Sequence, residues 1–445
     1  MLSQDLFSPS LLLTLGFAVV LALQLLLRLW LASRQVRHVA RHRPQVPAPF
    51  AAHIALHAHQ KAADYTLAKS RTGLLDLALS TALLLAWTLL GGLDALNQVL
   101  AQWLGQGLHQ QLALLAAFAL ISGLAGLPLS LYQTFVVEQR FGFNKLTPRL
   151  WLSDLLKSTL VAAVIGLPLA ALILWLMASA GSFWWLWTWA VWAGFNLLLM
   201  WLYPSLIAPL FNRFEPLDNA LLKERVTALM QRCGFAAKGL FVMDGSRRSA
   251  HANAYFTGFG AAKRVVFYDT LLKQLSPGEV EAVLAHELGH FKHRHIAKRL
   301  IGLLALSLAS LALLGWLSQQ PWFYTGLGVR PSLEMLLTGD SANALTGNEA
   351  LALLLFLLVS PVFGFFITPV MSYFSRRDEF QADAYAATQA QGSDLASALL
   401  TLYQDNASTL TPDPAYVAFY YSHPPAIERL ARLAAPTPVQ ACNAP

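Results

Sequence analysis

Two histidines and a glutamate near the middle of the chain have the spacing of a metal site on one helix. The run reads HELGH, with His286 and His290 four residues apart and Glu287 directly after the first histidine. Residues four apart lie one above the other on a helix face, so both imidazoles can bind the same ion. A zinc ion held there lowers the pKa of a water molecule toward 7, and Glu287 can accept the proton of that water. The spacing therefore predicts one catalytic Zn²⁺ per chain, with Glu287 as the general base.

A third protein ligand must come from elsewhere, because catalytic zinc normally keeps three protein ligands and one open position. His293 and His295 follow the motif closely, but they point away from its ligand face or follow a basic run, and we interpret them as interfacial basic residues. Glu379 and Asp383 lie four residues apart on a predicted helix that leaves the last membrane span. One of these carboxylates can bind the metal while the other orients a ligand histidine, and spacing does not assign the two roles. Two further candidates on the same side of the membrane are Asp378 and His423.

The zinc motif belongs to the one large soluble segment, residues 211–299, which is predicted to be α+β. Leu222–Cys233 has helical periodicity, while Gly239–Asp244 and Arg264–Asp269 are rich in Val, Phe and Tyr and are predicted to be strands. The SPGE run at 276–279 then begins the helix of the motif. Its serine can cap the helix, its proline suits the first helical position, and its glutamate completes a capping box.

Composition places these elements in a membrane protein. Hydrophobic residues make up 56% of the 445 and charged residues only 12%, and the mean hydropathy is +0.49. A soluble globular domain carries about 25% charged residues. A membrane-spanning helix needs about 20 mostly apolar residues, and seven stretches qualify. They are Leu11–Leu27, Leu77–Leu93, Leu112–Tyr132, Ser158–Ala180, Phe183–Tyr203, Leu300–Leu317 and Leu351–Phe374.

The distribution of positive charge supports this count. With seven spans, all but one of the 31 Lys and Arg residues fall on one face of the membrane, and Arg330 alone falls on the other. Positive loops are retained in the cytoplasm, so the zinc motif is predicted inside and the amino terminus outside. The basic excess thus reflects topology and predicts no nucleic-acid partner. The predicted segments are 1–210 with five spans, 211–299 with the HELGH helix, 300–374 with two spans, and 375–445 with the remaining catalytic residues.

Further motifs occur in an order that resembles a known family. Residues 379–383 read EFQAD and place a glutamate and an aspartate in ExxxD spacing downstream of HExxH. With these motifs the chain resembles, over nearly its whole length, the integral-membrane zinc metallopeptidases of the CAAX prenyl protease type 1 kind, which are gluzincins. The other matching runs are GFNK at 142–145, PLFN at 209–212, DGSRRS at 244–249, NAYF at 253–256 and SHPP at 422–425.

The resemblance implies roles that spacing alone does not assign. Glu379 matches the third zinc ligand, and Asp383 matches an acid that orients a ligand or donates a proton. His423 and Asn253 match residues thought to hold the substrate backbone or to stabilise the oxyanion, which needs fixed donors. The implied fold is mainly α, with seven transmembrane helices around a water-filled chamber capped by a zincin-like α+β metalloprotease domain. The implied partners are the lipid bilayer and peptide or protein substrates, prenylated or membrane-embedded.

The sequence therefore predicts a zinc-dependent membrane endopeptidase. Its Ala- and Leu-rich composition favours a bacterial inner membrane, where turnover of surplus membrane proteins is a plausible role beside cleavage of prenylated peptides. The alternative is a transporter or channel with a structural zinc site. Transporters usually carry paired intramembrane charges or repeated broken helices, whereas charges here avoid the predicted spans and no internal repeat is found.

Overall fold

The structure is a computed structural model of the chain. The ranges that it describes are 8–235, 239–257, 264–332, 335 and 347–434. Residues 435–445 of the predicted C-terminal segment lie outside these ranges.

Long apolar helices dominate the described residues and confirm the mainly helical membrane fold. Six of them are long and apolar enough to cross a membrane, and a bent pair brings the number to seven if it forms one span. This count agrees with the seven predicted spans. The helices that precede the soluble segment are α1 (Pro9–His42), the bent pair α2 (Leu56–Trp87) and α3 (Gly92–Leu104), α4 (Leu108–Phe141), α5 (Pro148–Ser179) and α6 (Gly181–Phe211).

The second span differs in detail from its prediction as Leu77–Leu93. Helix α2 already begins at Leu56, and the chain then turns by 52° into α3. Gly91 permits this turn because its φ of 75° lies in the left-handed region, which glycine adopts without a steric penalty. At the start of α3, Asp94 accepts a hydrogen bond from the Arg330 guanidinium at 2.8 Å. Arg330, the one basic residue predicted to lie on the opposite face of the membrane, is thus paired with an acid.

The soluble segment forms a four-stranded sheet packed against helices. Strand β2 (Gly239–Met243) pairs in parallel with β4 (Arg264–Tyr268). The antiparallel edge strands are β1 (Phe214–Pro216) and β3 (Ala254–Thr257), which gives the order β1-β2-β4-β3. The two predicted strands and the helix after residue 219 are confirmed, whereas β1 and β3 are too short to leave a periodic pattern. The elements are β1 (Phe214–Pro216), α7 (Ala220–Arg232), β2 (Gly239–Met243), β3 (Ala254–Thr257), β4 (Arg264–Tyr268), α8 (Asp269–Gln274) and α9 (Pro277–Lys292).

The rest of the described chain returns through the membrane and then adds helices to the soluble part. Glu349–Gln389 meets the criteria for one span, with a 3₁₀ turn at Phe365–Ile367 dividing it into two helices. The helices are α10 (His295–Leu317), α11 (Pro321–Thr325), α12 (Glu349–Gly364), α13 (Thr368–Gln389), α14 (Gly392–Asp405), α15 (Pro414–Tyr420) and α16 (Ala426–Ala434).

One hydrophobic core joins the HELGH segment to the C-terminal helices. Phe267 of β4 and Leu284 of α9 are fully buried in the same cluster as Ala386 of α13 and Leu399 of α14. Burial of such apolar side chains stabilises the packing of α9 on α13. Because that core spans both segments, the two parts of the predicted catalytic site are held by one folded unit.

Candidate active site

Helix α9 begins as its sequence predicts and presents the motif histidines on one face. The Ser276 hydroxyl accepts a hydrogen bond from the Glu279 N–H at 3.4 Å, and the Glu279 carboxylate accepts one from the Ser276 N–H at 2.7 Å. This capping box fixes the first turn. Two and three turns later, the Nε2 atoms of His286 and His290 lie 3.3 Å apart. The two imidazoles thus lie side by side on one helix face, as their spacing predicts.

A close helix contact brings the downstream carboxylates to this face. A Cβ added at Gly289 of α9 would lie 2.9 Å from the Cα of Ala382 on α13, closer than real Cβ atoms approach. Glycine at this position thus permits the two backbones to touch. Since Ala382 lies between Glu379 and Asp383, the contact places both carboxylates beside the motif histidines.

The three predicted metal ligands form a compact triangle of donor atoms. Glu379 Oε2 lies 3.4 Å from His286 Nε2, and Glu379 Oε1 lies 3.3 Å from His290 Nε2. Donors bound at 2.0–2.1 Å around a tetrahedral zinc ion lie about 3.3–3.4 Å apart. Glu379 is buried, and its Oε2 has no hydrogen-bond partner among the described residues. The spacing and the unpartnered oxygen both fit a zinc ion.

Asp383 lies behind the His286 ring. Its Oδ1 is 2.8 Å from His286 Nδ1, the ring nitrogen opposite the one that faces Glu379. Arg429 on α16 donates two hydrogen bonds to the same carboxylate, at 2.6 and 2.8 Å, and is itself buried. Burial lowers the pKa of His286, but its contact with Asp383 and the adjacent Glu379 carboxylate outweigh this effect and raise the pKa to about 9 in the metal-free protein. The contacts give Asp383 an orienting position.

His290 is oriented by a residue that the sequence interpretation assigned wrongly. His295 was expected to be an interfacial basic residue, but it is 1% exposed, and its Nδ1 lies 3.0 Å from His290 Nδ1. Its Nε2 lies 3.0 Å from Gln381 Oε1. If His290 binds metal through Nε2, its Nδ1 carries the proton and donates to His295, which in turn donates to Gln381. The prediction failed because Arg294 adopts a left-handed φ of 56°, which ends α9 and turns the next residue inward.

Glu287 meets the requirements for a base. Its side chain is half-buried, and its carboxylate has no hydrogen-bond partner among the described residues. Burial raises the pKa of Glu287, and the nearby imidazoles of His286 and His290 offset only part of this rise. A raised pKa makes this carboxylate a better proton acceptor, as a general base requires.

The other two predicted catalytic residues occupy different positions. His423 Nε2 lies 3.4 Å from Glu379 Oε1, and its side chain is 64% exposed, so this imidazole adjoins the ligands and faces open space. Asn253 directly precedes β3, and its side-chain oxygen accepts a hydrogen bond from the Ala254 N–H at 2.8 Å. Among the described residues, no hydrogen bond joins the Asn253 side chain to any of the three ligands. The roles of both side chains remain predictions.

Arg429 had no place in the sequence-based site, although the sequence carries a weak signal for it. Ala426, Leu430 and Leu433 form an apolar stripe at helical spacing, and Arg429 lies on its border. A basic residue beside a stripe that packs inward is a candidate for a buried ion pair. Asp378, also considered as a ligand, instead pairs with Arg299 at 3.2 Å.

A large cavity adjoins the site. Its volume is about 990 Å³, within the range of ligand-binding cavities. His423 and Arg429 line it near the ligands, and side chains of α1 and α2 line it farther away. A substrate in this cavity would thus contact both the catalytic residues and the membrane helices.

The apolar helices and the His-His-Glu site define a multi-pass membrane metalloprotease, and comparisons with known proteins agree. Residues 35–213 match the family model described as CAAX prenyl protease N-terminal, five membrane helices, and residues 216–437 match peptidase family M48. The chain belongs to the CAAX prenyl protease 1 family within peptidase family M48.

Relatives from distant organisms cover most of the chain. It is 34% identical to the CAAX prenyl protease 1 homolog of Oryza sativa, over 89% of this chain and 92% of the relative. It is 37% identical to CAAX prenyl protease 1 of Saccharomyces cerevisiae, over 73% of this chain and 72% of the relative. The crystal structure of S. mikatae Ste24p matches with a TM-score of 0.86 at 30% identity, covering 95% of this chain and 99% of that one. The expected fold class is therefore confirmed.

Proposed function

We propose that the chain is a zinc-dependent endopeptidase that hydrolyses peptide bonds of membrane-associated substrates. The observation that carries this proposal is the triangle of His286, His290 and Glu379 donors, in which one buried carboxylate oxygen has no hydrogen-bond partner among the described residues. A buried anionic oxygen without a donor is costly. A divalent cation between the three donors would satisfy it.

The proposed chemistry assigns a task to each side chain. Zinc, when bound, supplies a Lewis acid for a water molecule and for the substrate carbonyl. Glu287 takes a proton from the attacking water and returns it to the leaving amine, for which the pKa raised by burial is suited. His423, exposed beside the ligands, donates to the developing oxyanion. Asp383 holds the His286 ring in the orientation that leaves Nε2 free of its proton.

Strand β3 offers an extended substrate a place to bind. It is an edge strand that contacts α9, and within the described ranges it pairs only with β4. The free backbone groups of an edge strand can hydrogen-bond an extended peptide. Asn253 lies at the start of this strand, which supports its proposed role in holding the substrate backbone.

The names of the relatives support prenylated peptides as one substrate class, since they are called CAAX prenyl proteases. Turnover of surplus membrane proteins is a second use that the same site could serve. The one-sided charge supports an active site on the cytoplasmic face. The relatives named above are eukaryotic, so they give no support to the expected bacterial inner membrane.

The decisive experiment compares wild type with Glu287→Gln on a farnesylated reporter peptide and on the same peptide without the farnesyl group. Both proteins should bind one zinc ion, and the variant should lose about 10²- to 10⁴-fold in turnover. Glu224→Gln, an exposed position on α7, is the matched control and should cleave normally. Undiminished cleavage by Glu287→Gln or by metal-free protein would refute the proposal. Solute uptake into liposomes that persists in Glu287→Gln and in metal-free protein would favour the transporter alternative instead.

A further inference from the structure

The cavity beside the active site carries positive charge that the catalytic chemistry does not use. Its permanently charged lining residues are Arg28, Lys69 and Arg429, and no Asp or Glu lines it in the described part of the chain. Arg429 is neutralised by Asp383. The excess positive charge therefore belongs to Arg28 on α1 and Lys69 on α2.

Aromatic rings rather than carboxylates hold these two cations. The Arg28 guanidinium lies 4.7 Å from the centroid of the Phe365 ring, and its buried Nε has no hydrogen-bond partner among the described residues. Lys69 Nζ lies 5.1 Å from the centroid of the Tyr65 ring. Within the same ranges neither cation has an ion-pair partner. A cation on an aromatic face keeps its remaining donors available for an anion.

Both cations lie far along their helices from the ends predicted to face outward. At 1.5 Å per residue, Arg28 is roughly 29 Å along α1 from its start, and Lys69 is roughly 27 Å along α2 from its end. These lengths are close to the thickness of the hydrocarbon core, about 30 Å. The two helices pack together, and His59 Nε2 of α2 lies 2.9 Å from the His42 carbonyl oxygen of α1. Counting from that contact in antiparallel register, Lys69 lies roughly 6 Å, about one helical turn, from the level of Arg28. Unpaired cations beside low-dielectric surroundings attract an anion strongly.

We propose that Arg28 and Lys69 form an anion subsite that binds the free C-terminal carboxylate of a peptide whose scissile bond lies at the metal site. This inference rests on the proposed peptidase function, because the cavity joins the two cations to His423 and Arg429 at the catalytic end. Its walls also present polar side chains suited to a peptide main chain. Those side chains include Gln35, Tyr403, Asn406, Ser408 and Tyr421.

A peptide in two forms tests the subsite. One fluorogenic decapeptide is prepared as the free acid and as the C-terminal amide, and kcat/KM is measured for each with zinc-loaded protein in detergent. Wild type should prefer the acid by about tenfold or more, mainly through KM, since a charge-assisted contact is lost in the amide. Arg28→Gln and Lys69→Gln should each bring the acid-to-amide ratio toward one, and Arg28→Lys should retain most of the preference.

The matched control is Arg37→Gln. Arg37 is exposed on the same helix, and its Nε donates to the carbonyl of Ser33 in the preceding turn, so this variant should keep the full preference. Binding of both peptide forms to Glu287→Gln, followed by fluorescence polarisation, gives a readout that needs no turnover. Wild type and Glu287→Gln should share the preference for the acid.

The outcomes separate the subsite from the peptidase assignment. Equal cleavage of acid and amide by wild type, or a preference that survives both Gln substitutions, overturns the subsite and leaves the peptidase intact. Failure of the zinc-loaded protein to cleave either peptide overturns both. If phosphatidylglycerol, but not phosphatidylcholine, protects wild type and not Arg28→Gln against thermal unfolding while acid and amide are cut equally, the anion is a lipid phosphate and the peptide proposal is wrong.

Discussion

Replacing Arg429 with methionine tests how the site is held together. Arg429 donates two hydrogen bonds to Asp383, at 2.6 and 2.8 Å, and Asp383 in turn contacts the Nδ1 of His286. Methionine is long and apolar, so it fills much of the space and removes the charge. Asp383 is then a buried carboxylate with His286 as its main partner. Breaking such a pair from one side costs about 3–5 kcal/mol of stability.

Zinc affinity should fall together with stability. Loss of a group that orients a metal ligand weakens metal binding by about 10- to 100-fold. The sign of the pH dependence follows from charge. Arg429 lowers the pKa of His286 whereas Asp383 raises it, so removing the arginine raises that pKa further above its ordinary value. Zinc must then displace a more tightly held proton, so this part of the defect should be fully present at pH 7 and should shrink as the pH rises through the wild-type pKa of about 9 to pH 10.

The assay measures the zinc dissociation constant by competition with a chelating dye, and thermal unfolding by tryptophan fluorescence. Arg432→Met on the same helix is the control, because Arg432 is exposed and covers the Phe380 ring, a contact worth about 0.5–1 kcal/mol. In Arg429→Met/Asp383→Asn, stability should recover partly, because no buried charge is left unpaired, but zinc affinity should stay low. Wild-type zinc affinity and unfolding temperature in Arg429→Met would refute the reasoning.

Three further predictions concern the same cluster. His295→Ala should weaken zinc binding by about tenfold, measured by dye competition, because the proton on His290 Nδ1 loses its acceptor. Gly289→Ala should force α9 away from Ala382 and abolish stoichiometric zinc by elemental analysis, whereas Gly392→Ala, whose Cβ would meet only one atom at 3.9 Å, should bind normally. Zinc uptake at pH 7.5 should release about one proton from His286, because its pKa in the metal-free protein is about 9. Calorimetry in buffers of different ionisation enthalpy would detect that proton, and an apparent zinc affinity that does not change between pH 7 and 9 would contradict it.

The parts of the site that depend on local geometry could be predicted from sequence. His286 and His290 converge because a helix repeats its face every four residues, and the capping residues at 276–279 fix where that helix begins. The membrane spans follow from the length of their apolar runs. Such features need no knowledge of distant contacts.

Features that depend on tertiary contacts could not be predicted from the residues alone. Glu379 approaches the histidines only because Gly289 lets α9 touch α13, and spacing along the chain does not encode that contact. A resemblance to known proteins was needed to choose Glu379 over Asp383 as the ligand. His295 was missed because a single left-handed residue, Arg294, reverses the direction that a continuous helix would give.

The connections of the ligand helices set the site at the membrane surface. Helix α9 is followed within a few residues by the membrane helix α10, and α13 completes the continuous helical stretch Glu349–Gln389. The predicted last span ends at Phe374, so Glu379 lies roughly 7–8 Å farther along the axis at 1.5 Å per residue. That distance is comparable to the depth of the headgroup region. A peptide held to the bilayer by a lipid or by its own apolar segment could reach a site at this height without leaving the membrane, which supports the proposal of membrane-associated substrates.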